Sequence, residues 1–211
     1  MKSRTFISIT IPFIGYYFIN KELSKKYPDF PKNQLPKESK LQNYIQRSND
    51  KYFAYTDIFK TQVHSNSIDE VSTKFLNSPG ISNLIVESNS INTNDNTITT
   101  SPSTILNSQI IKTIQSKNAH STIISWYWNP NYSIVSFFEK LSSYGYPWRL
   151  MNGGIHEILL VKSKEQDGII DIYFSTAHQY NDKRDGKLIP NWVQSLHRNY
   201  ARIILYLATK E

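Results

Sequence analysis

The stretch GIHEILLVKSKEQDGIIDIYFSTAHQY, residues 154–180, decides the fold class. It holds two segments rich in β-branched and aromatic residues, Ile155–Lys162 and Ile169–His178, with the polar sequence SKEQDG between them. Two such segments joined by a short polar turn are typical of a β-hairpin. The sequence therefore predicts that this part of the chain contributes to an antiparallel sheet.

One long amphipathic helix is predicted after the hairpin. Pro190 suits a first helical turn. Apolar residues then recur at helical spacing and form a stripe: Ile189, Trp192, Val193, Leu196, Tyr200, Ile203, Ile204 and Leu207. A helix of about 20 residues is about 30 Å long, enough to cross a whole sheet. We expect the stripe to lie on the sheet.

Shorter elements are predicted upstream of the hairpin. Ser67 and Glu70 form a capping box that begins a helix. The pattern of residues 105–114 fits a strand or a short helix equally well. The remaining predicted elements are strands at 52–63 and 121–128 and a helix at Ser133–Tyr144.

Helices gathered on one face of an antiparallel sheet make an α+β domain. The order of elements resembles the helix-grip fold of START-like and polyketide-cyclase-like proteins, in which a curved antiparallel sheet packs against a long C-terminal helix. YTDIFKTQV, SIDEVSTKFLNSPG, the hairpin, and IPNWVQSLHRNYARIILYLATK carry the resemblance over residues 52–211. The helix at Ser133–Tyr144 departs from that family and leaves the strand count open. The resemblance implies a cavity between sheet and helix for an apolar or aromatic ligand, often a lipid or isoprenoid, and assigns no residue.

The N-terminal region divides into a leader and a linker before the domain at 52–211. Residues 1–20 are hydrophobic and basic, with Lys2 and Arg4 ahead of an apolar run at 5–19. This pattern is typical of a targeting segment or a short membrane anchor, so we expect a membrane-associated or mitochondrial protein with membrane contact through 5–19. The alternation of Ile7, Ile9 and Ile11 with polar residues fits a strand of the domain instead. The prolines of residues 21–51 indicate a linker.

The charge distribution argues against a nucleic-acid partner. The formal net charge is +7, and residues 1–60 carry eleven basic and five acidic side chains. The excess therefore belongs to the N-terminal quarter, whereas a nucleic-acid domain shows a basic stripe on its folded part. In addition, residues 88–108 contain 15 Ser, Thr or Asn in 21 positions, which predicts a surface insertion.

Composition and motifs exclude several kinds of site. The 211 residues include no cysteine, which removes disulfides, thiolate metal sites and cysteine nucleophiles. The chain has no dinucleotide-binding, Walker, zinc-protease or nucleophile-elbow motif. Its five histidines show no ligand spacing. We therefore expect neither a metal nor a cofactor.

Candidate site residues fall into two groups. In the hairpin, a two-residue turn at Asp167 and Gly168 would pair Glu157 with His178 as an acid/base dyad, whereas a longer loop would pair Ile155 with His178. A hydrogen bond that satisfies a buried histidine is the structural alternative. The candidate ligand-binding residues are Trp126, Trp128, Trp148, Tyr173, Trp192, His197 and Tyr200.

Three functions remain. The first is a non-catalytic protein that binds an apolar or aromatic small molecule of the lipid or isoprenoid class. The second is a small enzyme of cyclase, hydrolase or isomerase type that uses Glu157 and His178. The third is a scaffold or assembly component, which a large exposed apolar patch would support.

Overall fold

A computed structural model describes residues 3–44, 51–78, 81–82, 106–129, 131–144, 153–181 and 191–210. In chain order the elements are α1 (Ser3–Lys26), a 3-10 turn (Lys32–Gln34), α2 (Leu41–Tyr44), β1 (Lys51–His64), α3 (Ile68–Leu76), β2 (Leu106–Ser116), β3 (Ala119–Trp128), α4 (Ser133–Ser143), β4 (Gly153–Lys162), β5 (Ile169–Asn181) and α5 (Asn191–Thr209).

Within the described residues, five strands form one antiparallel sheet in the order β1-β5-β4-β3-β2. The sheet is curved and does not close, and α5 packs against one of its faces. The predicted α+β class is therefore confirmed. The hairpin of β4 and β5 is present as expected, and residues 106–116, for which the pattern was ambiguous, form strand β2. The low-complexity residues 88–105 lie outside the described part.

The register of the hairpin differs from both predicted pairings. His178 lies opposite Gly154, and Glu157 lies opposite Ser175. The chain reverses over residues 163–168, because Ser163 N–H donates to the Ile169 carbonyl and Gly168 takes the left-handed conformation with φ of 74°. A connection longer than predicted changes which residues of β4 and β5 lie opposite each other. Each one-residue shift in this register places a side chain on the other face of the sheet.

The face of the sheet under α5, called here the helix face, carries the larger hydrophobic core. Directly paired residues share a face, so Phe59, Phe174 and Ile158 line up across β1, β5 and β4. Ile204 and Leu205 of α5 pack in the same cluster, and all five side chains are at most 2% exposed. Side chains therefore fill the contact between the middle of the sheet and α5.

Residues 27–44, which we name the wrapping segment, run from the helix face past the edge strand β1 to the opposite face of the sheet, called here the outer face. The sequence predicts a linker over 21–51, but Tyr27 and Leu41 are both 0% exposed. Asp29 forms an antiparallel bridge with Phe59, and Phe30 N–H donates to the Ile58 carbonyl at 2.8 Å. The segment therefore crosses the edge strand β1 and packs on the sheet as part of the folded unit.

Residues 3–26 form helix α1, so the alternative of a strand at Ile7–Ile11 is wrong. The helix lies beside α5, where the Tyr16 hydroxyl is 3.0 Å from Ser195 Oγ and accepts a hydrogen bond from Asn199 Nδ2 at 3.0 Å. No helix among the described residues is both long enough and apolar enough to span a bilayer.

The orientation of α5 differs from the prediction. Four residues of the expected buried stripe face away from the sheet and are 39–50% exposed: Leu196, Tyr200, Ile203 and Leu207. Among the stripe residues whose side chains the structure describes, Ile204 alone is buried. The side of α5 toward the sheet also carries Ala201, Leu205 and Ala208. Alanines allow the helix backbone to come close to the large rings of the core, which explains why this narrower face is the buried one.

Loss of the α3 cap is expected to cost about 1 kcal/mol of unfolding free energy in Ser67→Ala. The Ser67 hydroxyl accepts a hydrogen bond from Glu70 N–H at 3.2 Å, as the capping box predicts. Urea unfolding of the variant measures the loss. Ser67→Asp keeps an acceptor at this position and should unfold near wild type; equal losses in both variants would contradict the capping role.

Candidate functional site

Three strands and α5 bring a group of histidines and a tryptophan together on the helix face. Trp126 of β3 lies opposite Gly154 of β4, which lies opposite His178 of β5. His156 and Thr176 form the next row, and α5 contributes His197, whose ring lies 4.2 Å from that of His178. We call this group the His–Trp site: Trp126, His156, Thr176, His178 and His197.

Aromatic stacking fixes the imidazole of His156. Its ring is sandwiched between Trp126, at 5.9 Å and 15° between planes, and Phe174, at 5.5 Å and 20°. Trp128 meets Trp126 edge to face at 5.6 Å. The stacked rings join the polar site to the apolar core, and they form an aromatic wall along one side of it.

Gly154 makes the space that Trp126 occupies. A Cβ atom on Gly154 would lie 2.7 Å from Trp126 Nε1 and 2.8 Å from Trp126 Cε2. The indole therefore lies directly over the β4 backbone, a position that a residue with a side chain would block.

His178 and His197 share a hydrogen bond. Their Nε2 atoms are 3.0 Å apart. Since two lone pairs would repel at this distance, one of the two Nε2 atoms carries a hydrogen and the other accepts it. The two imidazoles must therefore hold different tautomers when both are neutral.

Burial favours the neutral forms of His156 and His197. Desolvation, with a smaller contribution from His197, lowers the pKa of His156 from 6.5 to about 3. Desolvation also lowers the pKa of His197, which nearby Asp57 raises and Arg198 lowers by smaller amounts. The Arg198–Asp57 ion pair lies beside the site, with Nε and Oδ1 2.8 Å apart. Both imidazoles can therefore donate and accept hydrogen bonds as neutral groups.

Several polar atoms of this region are buried and have no hydrogen-bond partner among the described residues. They are Trp126 Nε1, Trp128 Nε1, His156 Nδ1, Thr176 Oγ1 and His197 Nδ1. Buried polar atoms in folded proteins are nearly always paired, with protein, water or a bound molecule. A bound polar molecule or ordered water would satisfy these atoms.

The predicted Glu157–His178 dyad does not form. Because Glu157 pairs with Ser175 and His178 with Gly154, the two side chains leave opposite faces of the sheet. Glu157 is 0% exposed on the outer face, where four donors bind its carboxylate: Ser39 Oγ at 2.5 Å, Lys40 N at 2.7 Å, Leu41 N at 3.2 Å and Ser121 Oγ at 2.7 Å. This carboxylate fastens the wrapping segment to β4.

The structure brings together three of the predicted ligand-binding residues: Trp126, Trp128 and His197. Tyr173 lies on the outer face, where its ring contacts Phe30 at 5.2 Å. Tyr200 is 50% exposed on the outward side of α5. Trp148 and the side chain of Trp192 lie outside the described part.

His156, Thr176 and Gly154 belong to the site but were not predicted from the sequence. The sequence did contain a signal for His156: side chains alternate along β4, which places His156 on the same buried face as Ile158 and Leu160. Only the register, however, shows that Thr176 and Gly154 adjoin it.

Within the described residues, no three His, Asp or Glu side chains are arranged to hold a metal ion. Comparison of the sequence with protein-family models and with curated proteins finds no match.

Proposed function

We propose that this protein binds an uncharged small molecule with an apolar or aromatic body, of the lipid or isoprenoid class, at the His–Trp site. The observation that carries the proposal is the group of buried, unpartnered polar atoms next to an aromatic wall. Ligand sites typically combine an aromatic lining with a few polar groups that fix orientation.

The atoms available define the ligand further. An indole N–H can only donate, so Trp126 and Trp128 call for an acceptor oxygen on the ligand. His156 and His197 have lowered pKa values and favour a neutral partner over an anion. A molecule with a carbonyl or hydroxyl group at one end of an apolar body satisfies both conditions.

Three further observations support this choice. The sheet packed against a long C-terminal helix agrees with the resemblance to helix-grip proteins, which implies a ligand between these elements. The site lies toward the beginning of α5, beyond the closely packed middle of the core. The basic, apolar helix α1 fits a protein that works at a membrane or in an organelle, where such ligands are found.

Extraction of the purified full-length protein with organic solvent, followed by mass spectrometry, tests the proposal. We expect one class of apolar, oxygen-bearing compound to copurify with the wild type, and about tenfold less with His197→Gln because a site contact is lost. The matched control is His120→Gln. His120 is also a buried histidine of the helix face, but it lies near Ser72, at the other end of β3.

Wild-type protein that yields no compound, and whose intrinsic fluorescence no isoprenoid or sterol changes, would overturn the proposal. Equal loss of compound in His197→Gln and His120→Gln would place the ligand elsewhere. Thermal unfolding of both variants shows whether each is folded.

A further inference from the structure

The outward side of α5 presents an apolar ridge that no function above uses. We define the ridge as Leu196, Tyr200, Ile203 and Leu207, which are 45%, 50%, 39% and 43% exposed. Their spacing places them on one side of the helix. Single exposed apolar residues are ordinary, but a continuous apolar strip along a helix marks a contact surface.

Buried polar contacts hold α5 in the orientation that exposes the ridge. Arg202 is 5% exposed. Its guanidinium donates to the Tyr27 carbonyl at 2.9 Å, to Asp29 Oδ1 at 3.0 Å and to Asn199 Oδ1 at 3.3 Å. Rotation of the ridge toward the sheet would break these bonds and leave a buried charge unpaired, which is costly. The exposure of the ridge is therefore built into the fold.

Helix α1 extends this surface. Lys26 of α1 reaches Tyr206 of α5, with Nζ 4.7 Å from the ring centroid. Ile19 lies about two helical turns before Lys26, hence on the same side of α1, and it is 54% exposed. The apolar ridge of α5 is thus continued by an exposed apolar residue on the neighbouring helix.

Positive charge lies at one end of the ridge. Helix α5 contains no acidic residue, and α1 contains only Glu22. Lys21, Lys25, Lys26 and Lys210 are exposed at the same end of the two helices, whereas Arg198 and Arg202 are paired inward with Asp57 and Asp29. An apolar helix side bordered by lysines is typical of helices that lie in the interface of an anionic bilayer.

We propose that the ridge is a docking surface for an anionic lipid bilayer, on which α5 lies with Leu196, Tyr200, Ile203 and Leu207 in the headgroup region. Charge selects this partner over a second copy of the chain, because α5 contains no acidic residue and a second copy of the helix would offer the lysines no counter-charge. The inference goes beyond the ligand site and does not depend on it.

Co-sedimentation of the full chain with lipid vesicles tests the proposal. We expect wild-type protein to bind vesicles of phosphatidylcholine with phosphatidylserine, and to bind phosphatidylcholine alone less tightly. Tyr200→Ser with Ile203→Ser should lower the partition coefficient about tenfold or more, since two apolar side chains no longer enter the interface. Added salt should weaken wild-type binding because the lysine contribution is screened.

The matched control is Ile111→Ser in β2, because Ile111 and Ile203 are both 39% exposed. It should bind vesicles like wild type. Unchanged vesicle binding by the double variant would overturn the proposal. A wild-type dimer that the double variant dissociates, without vesicle binding by either, would overturn it in favour of self-association.

Discussion

Glu157→Ala is expected to lower the free energy of unfolding by about 3–5 kcal/mol, because it removes the acceptor for several buried donors at once. The carboxylate receives two backbone N–H groups, from Lys40 and Leu41, and two hydroxyls, from Ser39 and Ser121. The two N–H groups would remain at the sheet surface without a partner. Urea unfolding at neutral pH measures the effect.

Graded controls separate this role from simple cavity formation. Ser39→Ala removes one donor and should cost about 1 kcal/mol. Glu157→Gln keeps the volume and one acceptor oxygen, so its loss should fall between those of the other two variants. Limited proteolysis should cut the wrapping segment faster in Glu157→Ala than in wild type. A loss below about 1 kcal/mol in Glu157→Ala would show that the carboxylate does not fasten the segment.

Acidification is expected to destabilise the protein through His156. The folded pKa is about 3, compared with 6.5 for an unperturbed histidine. Between these two pKa values, His156 is therefore protonated in the unfolded state but not in the folded state. The contribution of the neutral His156 side chain to the free energy of unfolding is complete above pH 6.5. It is lost as the pH falls from 6.5 toward about 3, by about 1.4 kcal/mol for each pH unit.

His156→Phe isolates this contribution, because a flat ring keeps the stack between Trp126 and Phe174. Urea unfolding at several values from pH 7.5 to 4.5 compares the two proteins. Wild-type stability should approach that of the variant, or fall below it, as the pH decreases. Carboxylate groups titrate in both proteins and cancel in the comparison. If the unfolding free energies of wild type and His156→Phe changed with pH in parallel, His156 would be accessible to protons in the folded state.

Local patterns predicted those parts of the fold that depend on local physics. The capping box at Ser67 begins α3, and alternating β-branched residues form β4 and β5. Periodicity also predicted α5, but not its orientation, because a stripe shows only that an apolar side exists. Arg202 sets the direction through contacts with Tyr27 and Asp29, which lie at sequence separations of 175 and 173. No local pattern contains that information.

The candidate site was predicted less completely, since it depends on register. Trp126 and His197 were identified by residue type, whereas His156 became part of the site only through its stacking with Trp126. The dyad of Glu157 and His178 was wrong because the reversal at 163–168 is longer than two residues. An error of a few residues in a turn is enough to send two side chains to opposite sides of a sheet.

The pairing of β1 with β5 has a consequence for synthesis of the chain. Lys51 pairs with Asn181, and Asp29 binds Arg202, so residues 29–64 find these partners only when residues 169–202 have left the ribosome. Proteins whose contacts join residues far apart in sequence fold more slowly than proteins with mostly local contacts. Residues 29–64 therefore lack these partners until residues 169–202 have been synthesised, and chaperones can bind them in that interval.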